Sequence, residues 1–272
     1  MGALGLKRDS VLELQRLSHV YVNEKGASLA VENIDLTVSR GQFVSLVGPS
    51  GCGKTTVLSL LAGLFPPTKG RVLLSGERVQ GPSPKVGYML QQDYLFPWRT
   101  IRDNAAVGLE ISGRKTRSSM EAVDALLEEV GLPGAGHRFP HELSGGMRQR
   151  VALARTLATD PEVLLLDEPF SALDLHIKLQ LEDLVDQTLK RLCKTAVLVT
   201  HDLAEAAAMS DRVIVLGRNP GRIRCELAVP DEIRLASPMN ARKLPGFQEL
   251  FERLWSELDA QDEEGGESDG GQ

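Results

Sequence analysis

"GPSGCGKTT", Gly48 to Thr56, is the stretch on which the reading of the fold turns. It follows the apolar run "QFVSLVG", which reads as a buried strand, and it opens a segment of helical periodicity from Lys54 to Gly63. The pattern G-x-x-x-x-G-K-[ST] carries weight in this strand–loop–helix setting and little outside it. Its glycines let successive backbone N–H groups wrap phosphate oxygens, Lys54 reaches the β- and γ-phosphates, and the Thr55 hydroxyl reaches Mg²⁺. Gly48, Pro49, Ser50, Gly51, Cys52, Gly53, Lys54, Thr55 and Thr56 are thus expected to line a phosphate site. A ligand-free glycine turn is the bland alternative, and the flanking strand and helix weigh against it. Cys52 is either a small residue that fits or a thiol activated by the helix N-terminus, alkylated readily and protected by nucleotide.

A phosphate site that uses magnesium needs a carboxylate at a neighbouring strand end. "VLLLDEPF", Val163 to Phe170, supplies two. Asp167 is expected to hold the metal through water, and Glu168 to act as general base or to orient the attacking water. A second anion site follows from "HELSGGMRQR", His141 to Arg150, where Ser144, Gly145 and Gly146 run into a helix and leave N–H groups free.

Around these motifs the chain alternates regularly. Three β-like runs open it: "VLELQRLSHVY", "VENIDLTVS" and "QFVSLVG". Short strands at "RVLLSG" and "VGYML" precede a polar-faced helical block from Ile101 to Val130. After the helix at Gly145 to Ala158, strands "EVLLLD", "TAVLVT" and "RVIVLG" alternate with helices "LDLHIKLQLEDLVDQTLKRL" and "DLAEAAAMS". Buried apolar strands alternating with helices mean an α/β fold with a mostly parallel sheet, into which the middle helical block is inserted.

Composition narrows the class. Of 272 residues 42% are hydrophobic and 25% charged, as in an ordinary globular protein. Net charge is −6, yet seven acids fall between Glu257 and Gln272, so the body is almost neutral. That argues against a partner bound through nucleic-acid phosphates. No run approaches the ~18 apolar residues of a membrane span, "MGALGLKRDS" lacks a signal-peptide core, and three cysteines without CxxC spacing fit a reducing compartment. The tail "DAQDEEGGESDGGQ" reads as disordered.

The phosphate loop, "LSGGMRQR", "LLLDEP", "SALD" and "VTHD", in that order, resemble the ATP-binding subunit of an ABC transporter over about Val11 to Val229. The resemblance implies a P-loop NTPase core with a mostly parallel sheet, an N-terminal antiparallel β part and a helical subdomain inserted at about 95–158. Beyond that span a C-terminal helical extension is expected over 230–256 and, from composition, a disordered acidic tail over 257–272. Two copies would pack head to tail, with each ATP and its Mg²⁺ between one copy's phosphate loop and the other's Ser144, Gly145 and Gly146. Tyr21 would stack on adenine; an edge-strand tyrosine is the bland reading. Gln91 would contact the metal and the water, with Gln92 a rival that strand register disfavours. Asp174 would couple the two sites, and His201 would sense the γ-phosphate. His19, His137, His141 and His176 read as surface or loop residues.

"LFPW", Leu95 to Trp98, and "NPGRI", Asn219 to Ile223, are similar to motifs of importers for nitrate, sulfonates and taurine. Phe96, Pro97 and Trp98 would form either a satellite core or a groove wall for a helix of a separate permease. Expected partners are therefore a second copy, permease subunits and, through them, a solute-binding protein. The expected location is the cytoplasmic face of the inner membrane, peripheral through the permease. An ABC-type ATPase without a permease, as in cluster assembly, and a nucleotide-gated adaptor are the rival classes.

Overall fold

The computed structural model describes residues 10–24, 26–218 and 220–266, with Asn23 and the last seven by backbone alone. The first nine residues, Asn219 of the "NPGRI" turn and the tail from 267 lie outside them. The chain begins with β1 (Ser10–Asn23), β2 (Gly26–Ser39), β3 (Phe43–Val47), α1 (Lys54–Leu61), β4 (Lys69–Leu74), β5 (Glu77–Arg78) and β6 (Val86–Met89). Helices α2 (Ile101–Ala105), α3 (Val107–Ile111), α4 (Arg117–Glu129) and α5 (Gly145–Leu157) follow. Then come β7 (Val163–Asp167), α6 (Leu175–Arg191), β8 (Thr195–Val199), α7 (Leu203–Met209), β9 (Arg212–Leu216) and β10 (Ile223–Ala228). Helices α8 (Asp231–Arg234), α9 (Pro238–Ala241) and α10 (Pro245–Gly266) end the described chain.

Strands form two sheets. An antiparallel one runs β2-β1-β4-β5, and a six-stranded one runs β10-β9-β3-β8-β7-β6. In the larger sheet every pairing is parallel except that of β10 with β9 at the edge. Side-chain alternation divides its strands between two sides. Val44, Leu46, Val163, Leu165, Val197 and Val199 face the antiparallel sheet and α1. Phe43, Leu164, Leu166, Ala196 and Leu198 face the helices, packing with Ile101, Val123, Leu127 and Leu153. With both faces covered, these strands are mostly apolar, and that made them visible in the sequence.

Three segments differ from expectation. The helical block is not continuous: it breaks at Ala106 and again before Thr116, which caps α4 in a reciprocal pair with Ser119. Ile223–Ala228 forms β10, an edge strand with alternating burial and no apolar run to announce it. The acidic tail does not begin at 257, because α10 continues to Gly266. Phe247, Leu250 and Leu254 seat that helix against α7 and β9, Leu258 continues the stripe, and Glu, Gln and Ala are good helix formers.

The C-terminal segment is also tied in by charge. Glu182 of α6 is 0% exposed, and its Oε2 lies 2.6 Å from Nη2 of Arg242. Burial pushes this carboxyl up to about 7 despite Arg242, with the charge of Glu205 adding to the rise and Lys178 opposing it. A raised folded-state pKa contributes stability that is complete below the ordinary value of 4.5 and lost as pH rises through about 7. Glu182→Gln stays neutral, so thermal unfolding should show the variant gaining on wild type from about pH 5 to about pH 8. A difference that stays constant over that range would contradict the assignment.

Candidate nucleotide site

The loop after β3 is shaped by close backbone approach. A Cβ on Gly48 (φ 156°) would stand 2.6 Å from the Leu216 carbonyl oxygen and 2.7 Å from Cys52 Sγ. Gly53 (φ 92°) is the N-cap of α1, and a Cβ there would overlap Val31. Only glycine turns the chain here without displacing β2 or β9. Lys54 opens α1 and is buried; its Nζ donates to the carbonyls of Gly48 at 2.6 Å and Pro49 at 2.9 Å. The ammonium is thereby held inside the loop whose N–H groups lead into the helix.

Across from it, β7 ends at Asp167. Thr55 Oγ1 donates to Asp167 Oδ1 at 3.5 Å, and the Tyr88 hydroxyl donates to Oδ2 at 3.2 Å. Burial raises the Asp167 pKa, the Tyr88 bond opposes this, and the Glu168 charge adds to the rise. A hydroxyl and a carboxylate are the hard oxygen donors that Mg²⁺ takes, and a carboxylate penalised by burial gains most from a cation. The residues present fit that metal.

Glu168 has φ 44°, a left-handed conformation rare for a residue with a side chain. It is held there by its N–H to Val199 O at 2.9 Å and by the Ser171 hydroxyl donating to its carbonyl at 3.0 Å. Gln91 Nε2 lies 3.3 Å from Glu168 Oε2 and also bonds Ser171 Oγ at 3.1 Å. His201 Nδ1 lies 3.3 Å from the same Oε2. Gln91 itself is fixed through its carbonyl by Gln149 of α5 at 3.0 Å. So Gln91, Glu168 and His201, from three separate segments, converge on one carboxylate oxygen.

A cleft of about 440 Å³ runs from Tyr21 and Leu29 past Ser50 to Thr56 and ends at Glu168, with Pro220 on its wall. Tyr21 is half-exposed, its hydroxyl 3.3 Å from Thr56 Oγ1 and its ring edge-on to His19 at 4.7 Å. His19 is no loop residue: it sits on β1 with its ring also 4.7 Å from Phe65. Ser144, Gly145 and Gly146 do not line this cleft. Ser144 caps α5, accepting from Met147 N at 3.3 Å, so the first-turn N–H groups of Gly145 and Gly146 have no helical acceptor. Asp174 caps α6 in the same way, accepting from Ile177 N at 3.1 Å.

The sequence profile of the ABC transporter family matches residues 31–171, from β2 through Glu168. The chain belongs to the ABC transporter ATP-binding family. It is 50% identical over 251 residues to the uncharacterized ABC transporter ATP-binding protein YtlC of Bacillus subtilis, covering 92% of this chain and 96% of that one. It is 38% identical to the taurine import ATP-binding protein TauB of Escherichia coli K12, over 89% of this chain and 96% of TauB. Identity to the nitrate import ATP-binding protein NrtD of Synechocystis is 42%, over 80% and 82% of the two chains. The dimeric structure of the ATP-binding cassette MJ0796 in a post-hydrolysis state with ADP and Pi superposes with TM-score 0.69 at 29% identity, over 80% of this chain and 99% of that one. As a cassette of this family the chain binds and hydrolyses ATP.

Four contributors to the cassette's site went unmarked in its sequence. Tyr88 is one, because only the parallel pairing Tyr88↔Leu165 puts it on the face that Asp167 shares. Ser171 is another. Gly221, with its neighbour Pro220 on the cleft wall, is a third: its N–H bonds Ala30 O at 2.9 Å, and a Cβ would collide with the Cys52 carbonyl. Asn104 is the fourth. Fully buried, it bonds Phe96 N at 2.7 Å and the carbonyls of Phe96, Arg99 and Thr100 at 3.0–3.1 Å, and so fixes the "LFPW" loop. That loop sends Leu95 into the core and leaves Trp98 72% exposed.

Activation of Cys52 is corrected. The thiol is 0% exposed, and burial raises its pKa against the nearby Lys54 charge and the Lys54 N–H. The helix end cannot activate a group that no solvent reaches. Under native conditions a maleimide should label exposed Cys193 first, with Cys52 reacting at the rate at which the loop opens. Peptide mass spectrometry that finds Cys52 labelled as fast as Cys193 would refute this.

Proposed function

We propose that the chain is the ATP-hydrolysing subunit of an importer, working as a homodimer that drives solute uptake through a separate permease. The observation that carries this is the separation of two anion-binding backbones: the cleft holds one, and the Ser144 end of α5 lies outside it. A copy packed head to tail would bring its Ser144, Gly145 and Gly146 to the open side of the first copy's cleft.

In this reading adenine stacks on Tyr21, and the phosphates take N–H groups of the loop between Gly48 and Thr56, in which Pro49 has none to give. Lys54 exchanges two loop carbonyls for phosphate oxygens, which are stronger acceptors for an ammonium. Thr55 and Asp167 would hold Mg²⁺ with Gln91 nearby; when bound, it neutralises charge gathering on the phosphoryl oxygens. Glu168 takes the proton of a water whose oxygen attacks the γ-phosphorus as the bond to ADP breaks. Gln91 and His201, both on Glu168 Oε2, orient that carboxylate, and His201 follows the γ-phosphate. Asp174 stands at the cap of α6, where it meets the partner.

Permease contact is assigned to Phe96, Pro97 and Trp98 of the loop that Asn104 fixes, on which Trp98 is exposed. None of the described helices is long and apolar enough to cross a membrane, so attachment to the cytoplasmic face of the inner membrane would come through the permease. The "LFPW" loop and the taurine and nitrate importers among the relatives support nitrate, a sulfonate, taurine or a similar small solute, delivered by a solute-binding protein.

Glu168→Gln is expected to yield a dimer that persists with ATP and turns over slowly; size-exclusion chromatography that finds only monomer at saturating ATP would overturn the sandwich. Ser144→Arg should bind ATP as wild type does but lose hydrolysis by about 10²–10³, the scale of removing a transition-state donor. Normal hydrolysis by that variant would remove the composite site. Uptake of nitrate, taurine and alkanesulfonates in a deletion strain tests the solute, and unchanged uptake of all of them excludes this class.

A further inference from the structure

Beneath the His201 turn lies a cluster of buried charges with no part in the chemistry above. Lys178 of α6 places Nζ 2.7 Å from Asp202 Oδ2, 2.7 Å from Glu205 Oε2 and 3.9 Å from Glu182 Oε1. Arg242, at the end of α9, closes on the far side of Glu182. Three carboxylates thus share two cations, and Glu182 and Glu205 are almost wholly buried. Burying ions is costly, and well-packed apolar residues often hold such space as well or better, so the cluster is weak evidence for stability alone. What it does is fix geometry. Asp202 follows His201 directly and caps α7, accepting from Ala204 N at 2.8 Å and Glu205 N at 3.1 Å. Lys178 lies one helical turn beyond Asp174, its N–H bonded to the Asp174 carbonyl at 2.9 Å.

We propose that Lys178 is a positioning residue for ATP hydrolysis: by holding Asp202 and Glu205 it locks the turn that carries His201 to the helix that Asp174 caps. The two loops then move as one body, and Arg242 extends that body to the C-terminal segment. This rests on the reading of His201 given above. It adds a residue that touches neither nucleotide nor Glu168.

Steady-state ATPase kinetics on wild type, Lys178→Met, His201→Ala and their double variant test it. Lys178→Met should lower kcat about 10- to 100-fold, as a displaced catalytic group does, with KM for ATP within about two-fold. In the His201→Ala background it should cost little more, because the residue it positions is gone. A full, multiplicative loss in that background overturns the proposal while leaving His201 in its role. Full activity of His201→Ala overturns both. Lys178→Met strands a buried carboxylate and can fail to fold, so Lys178→Met/Glu205→Gln is the companion variant. It should fold, bind a fluorescent ATP analogue as wild type does and still show low kcat, because Asp202 Oδ2 still lacks its ammonium; recovery of wild-type kcat would mean that the effect was only a stranded charge.

Discussion

Leu46 pairs with Val199 and Val199 with Asp167, so β3, β8 and β7 reach their carboxyl ends in one row. Gly48, His201 and Glu168 each lie one or two residues past that row. Parallel pairing between strands buried on both faces sets this alignment, because slipping one strand by a residue would turn its core side chains to the wrong side. The phosphate loop, the carboxylate pair and the histidine are far apart in sequence and have no other reason to meet. The contacts among these three segments descend from that register, while β1 of the antiparallel sheet brings Tyr21 to the cleft.

Two kinds of interaction then refine the placement. Close backbone approach fixes the loop, where Gly48, Gly53 and Gly221 pack against β9, β2 and the Cys52 carbonyl. Directed contacts fix the side chains: hydrogen bonds from Tyr88 and Thr55 to Asp167, from Gln91 to Glu168 and from Asn104 to the loop before α2, with His201 Nδ1 3.3 Å from the Glu168 carboxylate. The first kind tolerates no added atom. The second can be lost one bond at a time at Asp167 and Glu168, whereas fully buried Asn104 holds four backbone groups at once.

Strands buried on both faces and helices with one apolar stripe were legible in the sequence, as were motifs whose chemistry is local. The phosphate loop is the extreme case, since one continuous stretch supplies donor groups, ammonium and hydroxyl. What escaped depends on register or on distant partners. Tyr88 looks like any strand tyrosine until β6 is laid beside β7. β10 alternates too mildly to stand out, and burial of Cys52 follows from the packing of β9 and the Gly221 turn, which no local pattern carries. At the C-terminus, composition outweighed the stripe that runs on through Leu258.

The left-handed backbone at Glu168 sets evolution two conflicting tasks. A side chain at φ 44° is held at a cost on the order of 1–3 kcal/mol, and glycine or asparagine would relax it. Random change at this position can therefore make the fold sturdier while destroying the carboxylate. On the proposed reading of Glu168, selection for thermal resilience alone would drift toward an inert protein that survives heating better than its working ancestor. Six other non-glycine residues of the described chain share this conformation, Arg16 and Tyr94 among them, so it is the proposed chemistry and not the backbone alone that sets Glu168 apart.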